Sequence, residues 1–251
     1  MAAESGVIAL EAGEAHYLAR VLRYRAGDRV AVIDGCGALW SAVLEPAERT
    51  GLQRLRLEQP FDRPLQRAPH PPLPSLWLAL AVPKRDAELV WRMATELGAD
   101  RLQPLVAGHR AMLGDLPLER WRTIVREATE QCERLWLPQL EAPVEAGPWL
   151  AGSPRGVGLI AVTRRPGLPL LARHLNGLPF PLPGAAPTLS LAIGPEGGWS
   201  PDEERLALEA GWQPVSLGEE ILRTATAAVA GVALLASWRG LSCASCPSPS
   251  P

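Results

Sequence analysis

Lysine is nearly missing from this chain. Lys84 is the only one among 25 basic residues, and the rest are arginine. Neither sign of charge dominates: 25 basic and 27 acidic side chains leave a net charge of −2. That excludes a strongly cationic nucleic-acid coat, while a local basic patch stays open. Cysteine is scarce and scattered (Cys36, Cys132, Cys243, Cys246), which argues against a disulfide framework at 251 residues. Cys243 and Cys246 form a CxxC within LSCASCPSPSP, but no second CxxC or nearby histidine completes a zinc set. No metal site is expected. Long hydrophobic runs are also lacking. The longest, residues 224–238, is Ala-rich and interrupted by Gly231, so it predicts a buried helix and no membrane span. The opening MAAESGVIALEAGE has no basic start and already carries acids, unlike a secretory signal. A soluble, cytoplasmic protein is expected. Neither GxxxxGK[ST] nor GxGxxG occurs, which removes the common phosphate-binding fingerprints.

What is present divides in two. Residues 67–74, RAPHPPLP, are half proline and predict a stiff, extended connector. Before them, RVAVI (29–33) and ALWSAVL (38–44) flank Asp34-Gly35-Cys36-Gly37, the pattern of a hairpin, and residues 52–57 alternate as a half-buried strand does. After them, apolar strands at 76–82, 102–106, 157–162, 189–193 and 214–217 alternate with helices, among them 86–97, 118–135 and the final Ala-rich run. Such alternation predicts an α/β domain with a mainly parallel sheet. The expected organisation is a small β-rich domain at 1–68, a linker at 69–74, an α/β domain at 75–240 and a disordered tail at 241–251.

The strongest local signal is LSLAIGPEGGWSPDEE, residues 189–204. An apolar strand runs into Gly194-Pro195-Glu196-Gly197-Gly198, and a helix follows with Ser200 as N-cap, Pro201 at its first position and Glu203 closing a capping box. Gly197 and Gly198 let a ligand approach the backbone, at the strand end where open α/β sheets bind ligands. Asp202, Glu203 and Glu204 would repel a phosphate at that helix start, so a neutral or cationic ligand, such as a nucleoside carrying a sulfonium, fits better. A second strand-to-loop unit follows at VSLGEEILRTAT, where Leu217-Gly218 ends a strand and Ile221-Leu222-Arg223 leads into the last helix. Near the start, Arg20, Arg23, Arg25 and Arg29 face one Asp within residues 16–29, enough for a phosphate-contacting patch in an otherwise neutral region. Arg20 and Arg23, three apart, can share one face.

GPEGGWS (194–200) and LGEEILRTATA (217–227) strongly resemble the RsmE family, bacterial methyltransferases of uridine N3 in small-subunit rRNA. HYLARVLRYRAGD (16–28), MATELGAD (93–100) and EATEQCERLWLP (127–138) are similar to three further motifs of that family, in the same order. The resemblance implies an N-terminal PUA-like β-barrel for RNA and a C-terminal SPOUT domain tied in a trefoil knot. It implies a homodimer, S-adenosyl-L-methionine as cofactor, and uracil 1498 of 16S rRNA, within the small ribosomal subunit, as target. Carried over, Gly194, Pro195, Glu196, Gly197, Gly198, Leu217, Gly218, Ile221, Leu222 and Arg223 hold the cofactor. Arg223 stabilises charge on the uracil oxygens, and Glu196 or Glu130 is a candidate base. Arg134 matches the arginine of the family's third segment; with Lys84 and Arg85, which follow strand 76–82, and with Arg20 and Arg23, it is expected to contact RNA. The loop 163–167, TRRPG, completes the cofactor site without matching a known pattern. The chain departs from the family at Met93 (usually lysine), Glu133 (glycine), Glu219-Glu220 (proline and arginine) and Ala225 (an acid). Two alternatives stay open: a SPOUT enzyme acting on another RNA site, and a non-catalytic rRNA-binding assembly factor. A nucleotide-binding α/β enzyme ranks below both.

Overall fold

The computed structural model describes residues 6–21, 23–45, 54–107 and 116–244. Its contacts group the chain into two units, residues 1–71 with 130–137, and residues 72–129 with 138–251.

The first unit is an antiparallel sheet in the order β1-β4-β3-β2, with β5 added beside β3. These strands are β1 (Val7–Ala9), β2 (Arg29–Ile33), β3 (Ala38–Glu45), β4 (Arg54–Leu57) and β5 (Gln66–Arg67). The β2–β3 hairpin closes at Asp34, whose carboxylate accepts the N–H groups of Cys36 at 2.7 Å and Ala38 at 3.0 Å. Such side-chain bonding to its own turn is why Asp is favoured there. Trp40, Ala42, Leu44, Leu55 and Leu57 alternate inward and form the core of this unit with Leu10 and Ala15. On the outer face, Glu58 accepts from the Ser41 hydroxyl and then from Arg29, which together hold its carboxyl below the usual range. Of the strand expected at 52–57, residues 54–57 are present and 52–53 lie outside the described residues.

Residues 130–137 belong to this unit, and that changes one expected element. The helix anticipated over 118–135 ends as α3 (Leu118–Gln131), four residues early. Glu133 then takes a left-handed φ of 53°, and the chain runs extended past the hairpin turn. Gly37 N–H donates to Leu135 O at 2.8 Å, and Leu137 N–H donates to Gly35 O at 2.9 Å. Helical periodicity did not show this, because the competing bonds come from a turn about 100 residues away in sequence. Gly37 is required here. Its φ is 106°, and a Cβ would lie 2.3 Å from Ala68 O and 2.8 Å from the Trp136 ring.

The second unit is a parallel sheet in the order β12-β10-β11-β6-β7-β8, with β9 also on β7. Its strands are β6 (Ser75–Ala81), β7 (Arg101–Val106), β8 (Gln139–Leu140), β9 (Val144–Glu145), β10 (Val157–Ala161), β11 (Thr188–Ile193) and β12 (Gln213–Val215). Helices cover both faces, which is why the strands read as unbroken apolar runs. Leu76, Leu78, Leu80, Leu189, Leu191 and Ile193 point to one face, toward α2 (Ala87–Leu97), α5 (Leu171–Asn176) and α7 (Thr224–Ala244). Small or branched residues, Ala79, Ile160 and Ala192, point to the other, beneath α4 (Ala146–Leu150) and α6 (Pro201–Glu209).

Helix α7 is long and apolar enough to cross a membrane, yet Ala228, Val232, Leu235 and Trp238 are buried in the core of this unit. It continues to Ala244, four residues into the expected disordered tail; residues 245–251, Cys246 among them, lie outside the described residues. Near its end, Arg239 Nη1 donates to Asp100 Oδ2 at 2.5 Å and to Pro74 O at 3.2 Å, while Nη2 donates to Gly98 O at 2.9 Å. Asp100 also accepts the Leu76 N–H at 2.9 Å. The two side chains are only 12% and 10% exposed, so the pair is effectively internal. Removing one partner strands the other charge without water. Arg239→Ala is therefore expected to cost about 3 kcal/mol in urea unfolding, far more than loss of the exposed Arg56–Glu45 pair. Equal losses from the two changes would show that the Arg239 pair is no staple.

Candidate cofactor site

Strands β12, β10 and β11 are parallel neighbours, so their carboxyl ends emerge along one edge. The loops that follow them, at 162–166, 194–199 and 216–222, surround a cavity of about 510 Å³. That volume suits a nucleoside-sized ligand.

The loop after β11 is tied on three sides. Thr224 donates its hydroxyl to Gly194 O at 3.1 Å, Trp199 donates its indole N–H to Ala161 O at 3.1 Å, and Glu196 accepts the Lys84 N–H at 3.2 Å. Within the loop, Gly198 N–H donates to Pro195 O at 2.9 Å. Ser200 then starts α6 as the sequence predicts: its hydroxyl accepts the Glu203 N–H at 3.2 Å, and Glu203 accepts the Ser200 N–H at 2.8 Å. A Cβ built on Gly197 or Gly198 would meet nothing within 4 Å. Their bare backbone therefore faces open space that a ligand can use. The loop after β12 is held by Ser216, whose Oγ donates to Gly218 O at 2.8 Å and accepts the Gly218 N–H at 3.2 Å. Ile221 is 59% exposed and lines the cavity, an apolar side chain left open to solvent.

The lining is acidic. Glu196, Glu204, Glu219 and Glu220 face the cavity with Arg164 and Arg165. Arg165 Nη1 donates to Glu204 Oε1 at 2.5 Å, so one of the two guanidinium groups is already taken. The net negative charge here would repel a phosphate and attract a cation.

Nine of the ten expected cofactor positions, Gly194 to Gly198 with Leu217, Gly218, Ile221 and Leu222, line this one cavity. Arg223 does not. It follows Leu222 as an exposed residue, without a carboxylate partner among the described residues. Lys84 and Arg85 are exposed just past β6, and the Lys84–Glu196 bond joins their segment to the loop after β11. Arg20 lies in the last turn of a π-helical segment, Tyr17–Val21, and Arg23 lies beyond it at φ 60°. At that left-handed φ Arg23 itself is not helical, so helical spacing does not set the two on one face. Arg134 is half-buried in the segment that groups with the first unit, so it is not in the unit that carries the cavity. Trp199, Glu204 and Thr224 were not singled out as site residues from sequence. The only signal for them was position, beside the glycine loop or at a helix start.

Thr224 is 4% exposed, so its hydroxyl is a committed donor. Thr224→Val leaves Gly194 O without that bond, and a loss of about 1 to 2 kcal/mol is expected in urea unfolding. Faster amide exchange should be confined to the loop after β11; unchanged exchange there would mean the bond does not hold the loop.

Residues 70–236 match the family described as RNA methyltransferase domain, and residues 10–53 match the RNA methyltransferase PUA domain. Over 231 residues the chain is 39% identical to the ribosomal RNA small subunit methyltransferase E of Synechocystis, covering 90% of this chain and 71% of that protein. The Mycobacterium tuberculosis protein of the same name is 34% identical over 236 residues, covering 90% and 84%. Among solved structures, the same enzyme of Neisseria gonorrhoeae bound to S-adenosyl methionine superposes with a TM-score of 0.74 at 26% identity, covering 92% and 91% of the two chains. A Legionella pneumophila methyltransferase in complex with the cofactor SAM gives 0.75 at 25% identity, covering 94% of each. With its α/β sheet, its glycine-lined cavity and these matches, the chain belongs to the ribosomal RNA small subunit methyltransferase E family.

Proposed function

We propose that this protein uses S-adenosyl-L-methionine to methylate N3 of a uridine, uracil 1498 by the family name, in 16S rRNA of the small ribosomal subunit. The observation that carries this reading is the cavity: glycine-rich, acidic and open to bare backbone, at the ends of three adjacent parallel strands in a chain of this family. Gly194, Pro195, Gly197, Gly198, Leu217, Gly218, Ile221 and Leu222 would hold the cofactor through backbone groups and apolar contact. When bound, the cofactor supplies an electrophilic methyl on a positively charged sulfur.

The chain's own task is to prepare the uracil. Loss of the N3 proton spreads negative charge onto O2 and O4; the N3 electron pair would then form the new N–C bond as the methyl's bond to sulfur breaks, which removes that charge. Arg223 is the group suited to that charge, since it is exposed next to the cavity lining and no carboxylate among the described residues takes it. Glu196 accepts a backbone N–H from Lys84, which supports a loop-fixing role for it beside that of a base. Lys84 and Arg85 lie on the cavity-bearing unit and suit phosphate contacts near the target; Arg20, Arg23 and Arg134 suit contacts by the first unit.

The path of the chain supports the trefoil knot of the SPOUT fold. β12 pairs with the outer side of β10, yet α7 starts beside Gly194 and packs on β11 and β6, back across the sheet. A homodimer is supported by α7 itself: it is mostly apolar, but only 39% of residues 224–241 are buried, and Leu241 is 70% exposed. This reading makes the protein cytoplasmic, where ribosomal subunits are.

Labelled methyl transfer to small subunits from a strain lacking the modification, followed by nucleoside analysis, is expected to place label in 3-methyluridine. Cofactor binding with no label would move the target to another RNA, and absence of both would point to an assembly factor. Arg223→Ala is expected to lower kcat by about 10² or more while cofactor Kd stays within a few-fold. Methyl transfer within a few-fold of wild type would remove Arg223 from the chemistry.

A further inference from the structure

We infer that Glu219 and Glu220 make the cavity discriminate by charge, favouring the cationic methyl donor over its neutral demethylated product. The inference rests on the cofactor reading above and concerns what the same site rejects. S-adenosylmethionine and S-adenosylhomocysteine share the adenosine and the amino-acid tail. They differ by one methyl and one positive charge, both lost in the same step. Contacts to the shared parts cannot separate them, so any preference must come from the field at the sulfur or from the methyl itself.

The charged groups of the lining do not contribute equally to that field. Glu204 is engaged by Arg165 at 2.5 Å, and Glu196 accepts the Lys84 N–H at 3.2 Å. Glu219 and Glu220 line the same cavity, and neither has a basic partner among the described residues. Within the lining only Arg164 stands against them, and Arg223 lies just outside it. Both acids are exposed, so their effect is partly screened by water and falls with added salt. Two adjacent carboxylates at a cavity mouth nevertheless raise the local affinity for a cation and do nothing for a neutral ligand. Each turnover removes the charge that these side chains favour, and product is released from a site that no longer attracts it.

The test is titration of the purified full-length protein with S-adenosylmethionine, S-adenosylhomocysteine and sinefungin, in which a protonated amine replaces the sulfonium. For wild type, sinefungin is expected to follow the methyl donor. In E219Q/E220Q the ratio of product Kd to donor Kd should fall about fivefold at low ionic strength, and the fall should shrink at high salt. D62N/E119Q removes two exposed carboxylates outside the lining and should leave the ratio at its wild-type value. An unchanged ratio in E219Q/E220Q overturns the inference, as does an equal loss of affinity for all three ligands or an equal shift in the control. If wild type binds none of the three, it is the cofactor reading that fails, and the two failures are thereby distinct.

Discussion

Helix α7 is held at both ends, and the site depends on that. At its start, Thr224 donates to the carbonyl of Gly194, the first residue of the glycine loop. Toward its end, Arg239 is enclosed by Asp100, Pro74 and Gly98, which lie where β6 begins and where α2 gives way to β7. Between these anchors the helix buries Ala228, Val232, Leu235 and Trp238 in the core of its unit. The loop after β12 is therefore stretched between a strand at the sheet edge and a helix start beside β11. That path, with the local Ser216–Gly218 bonds, brings residues 216–222 over the cavity. An internal ion pair is a poor source of net stability compared with apolar packing, but it is unforgiving of misplacement. It suits a helix that must end in one place.

The cavity has the same logic in its electrostatics. Nucleotide-binding α/β proteins leave a helix N-terminus bare so that its N–H groups meet phosphate. Here the start of α6 is closed by its own capping box and carries Asp202, Glu203 and Glu204 in its first turn. The anion site is filled by the protein. What remains is backbone at Gly197 and Gly198, an apolar wall at Ile221 and a surplus of carboxylates. This is a setting for a nucleoside whose charge is positive, and it fits the family to which the chain belongs.

Much of this was legible in the sequence because its causes are local. The Asp34–Gly37 turn, the strands that flank it and the capping box at Ser200 each follow from residues within a few positions of one another. Strand-and-helix alternation after residue 75 predicted the parallel sheet, since βα units bury both faces of every strand. Two glycine-containing strand ends were legible separately and line one cavity, but a shared ligand was implied only by the family resemblance.

Three features came only from the tertiary structure, and each rests on contacts between distant residues. Helical spacing continues through 135, yet α3 stops at Gln131, because the hairpin turn offers Leu135 and Leu137 backbone partners that no periodicity records. Arg165 and Glu204 are 39 residues apart and became a pair only when β10 and β11 lay side by side. Arg134 and Lys84 seemed equivalent as isolated basic residues, but they fall in different units. Sequence determined which segments are strands, which loops are glycine-rich and which sign of charge surrounds them. Strand order and the return of α7 decided which of those groups meet, because hydrogen bonds and ion pairs depend on separation in space and not along the chain.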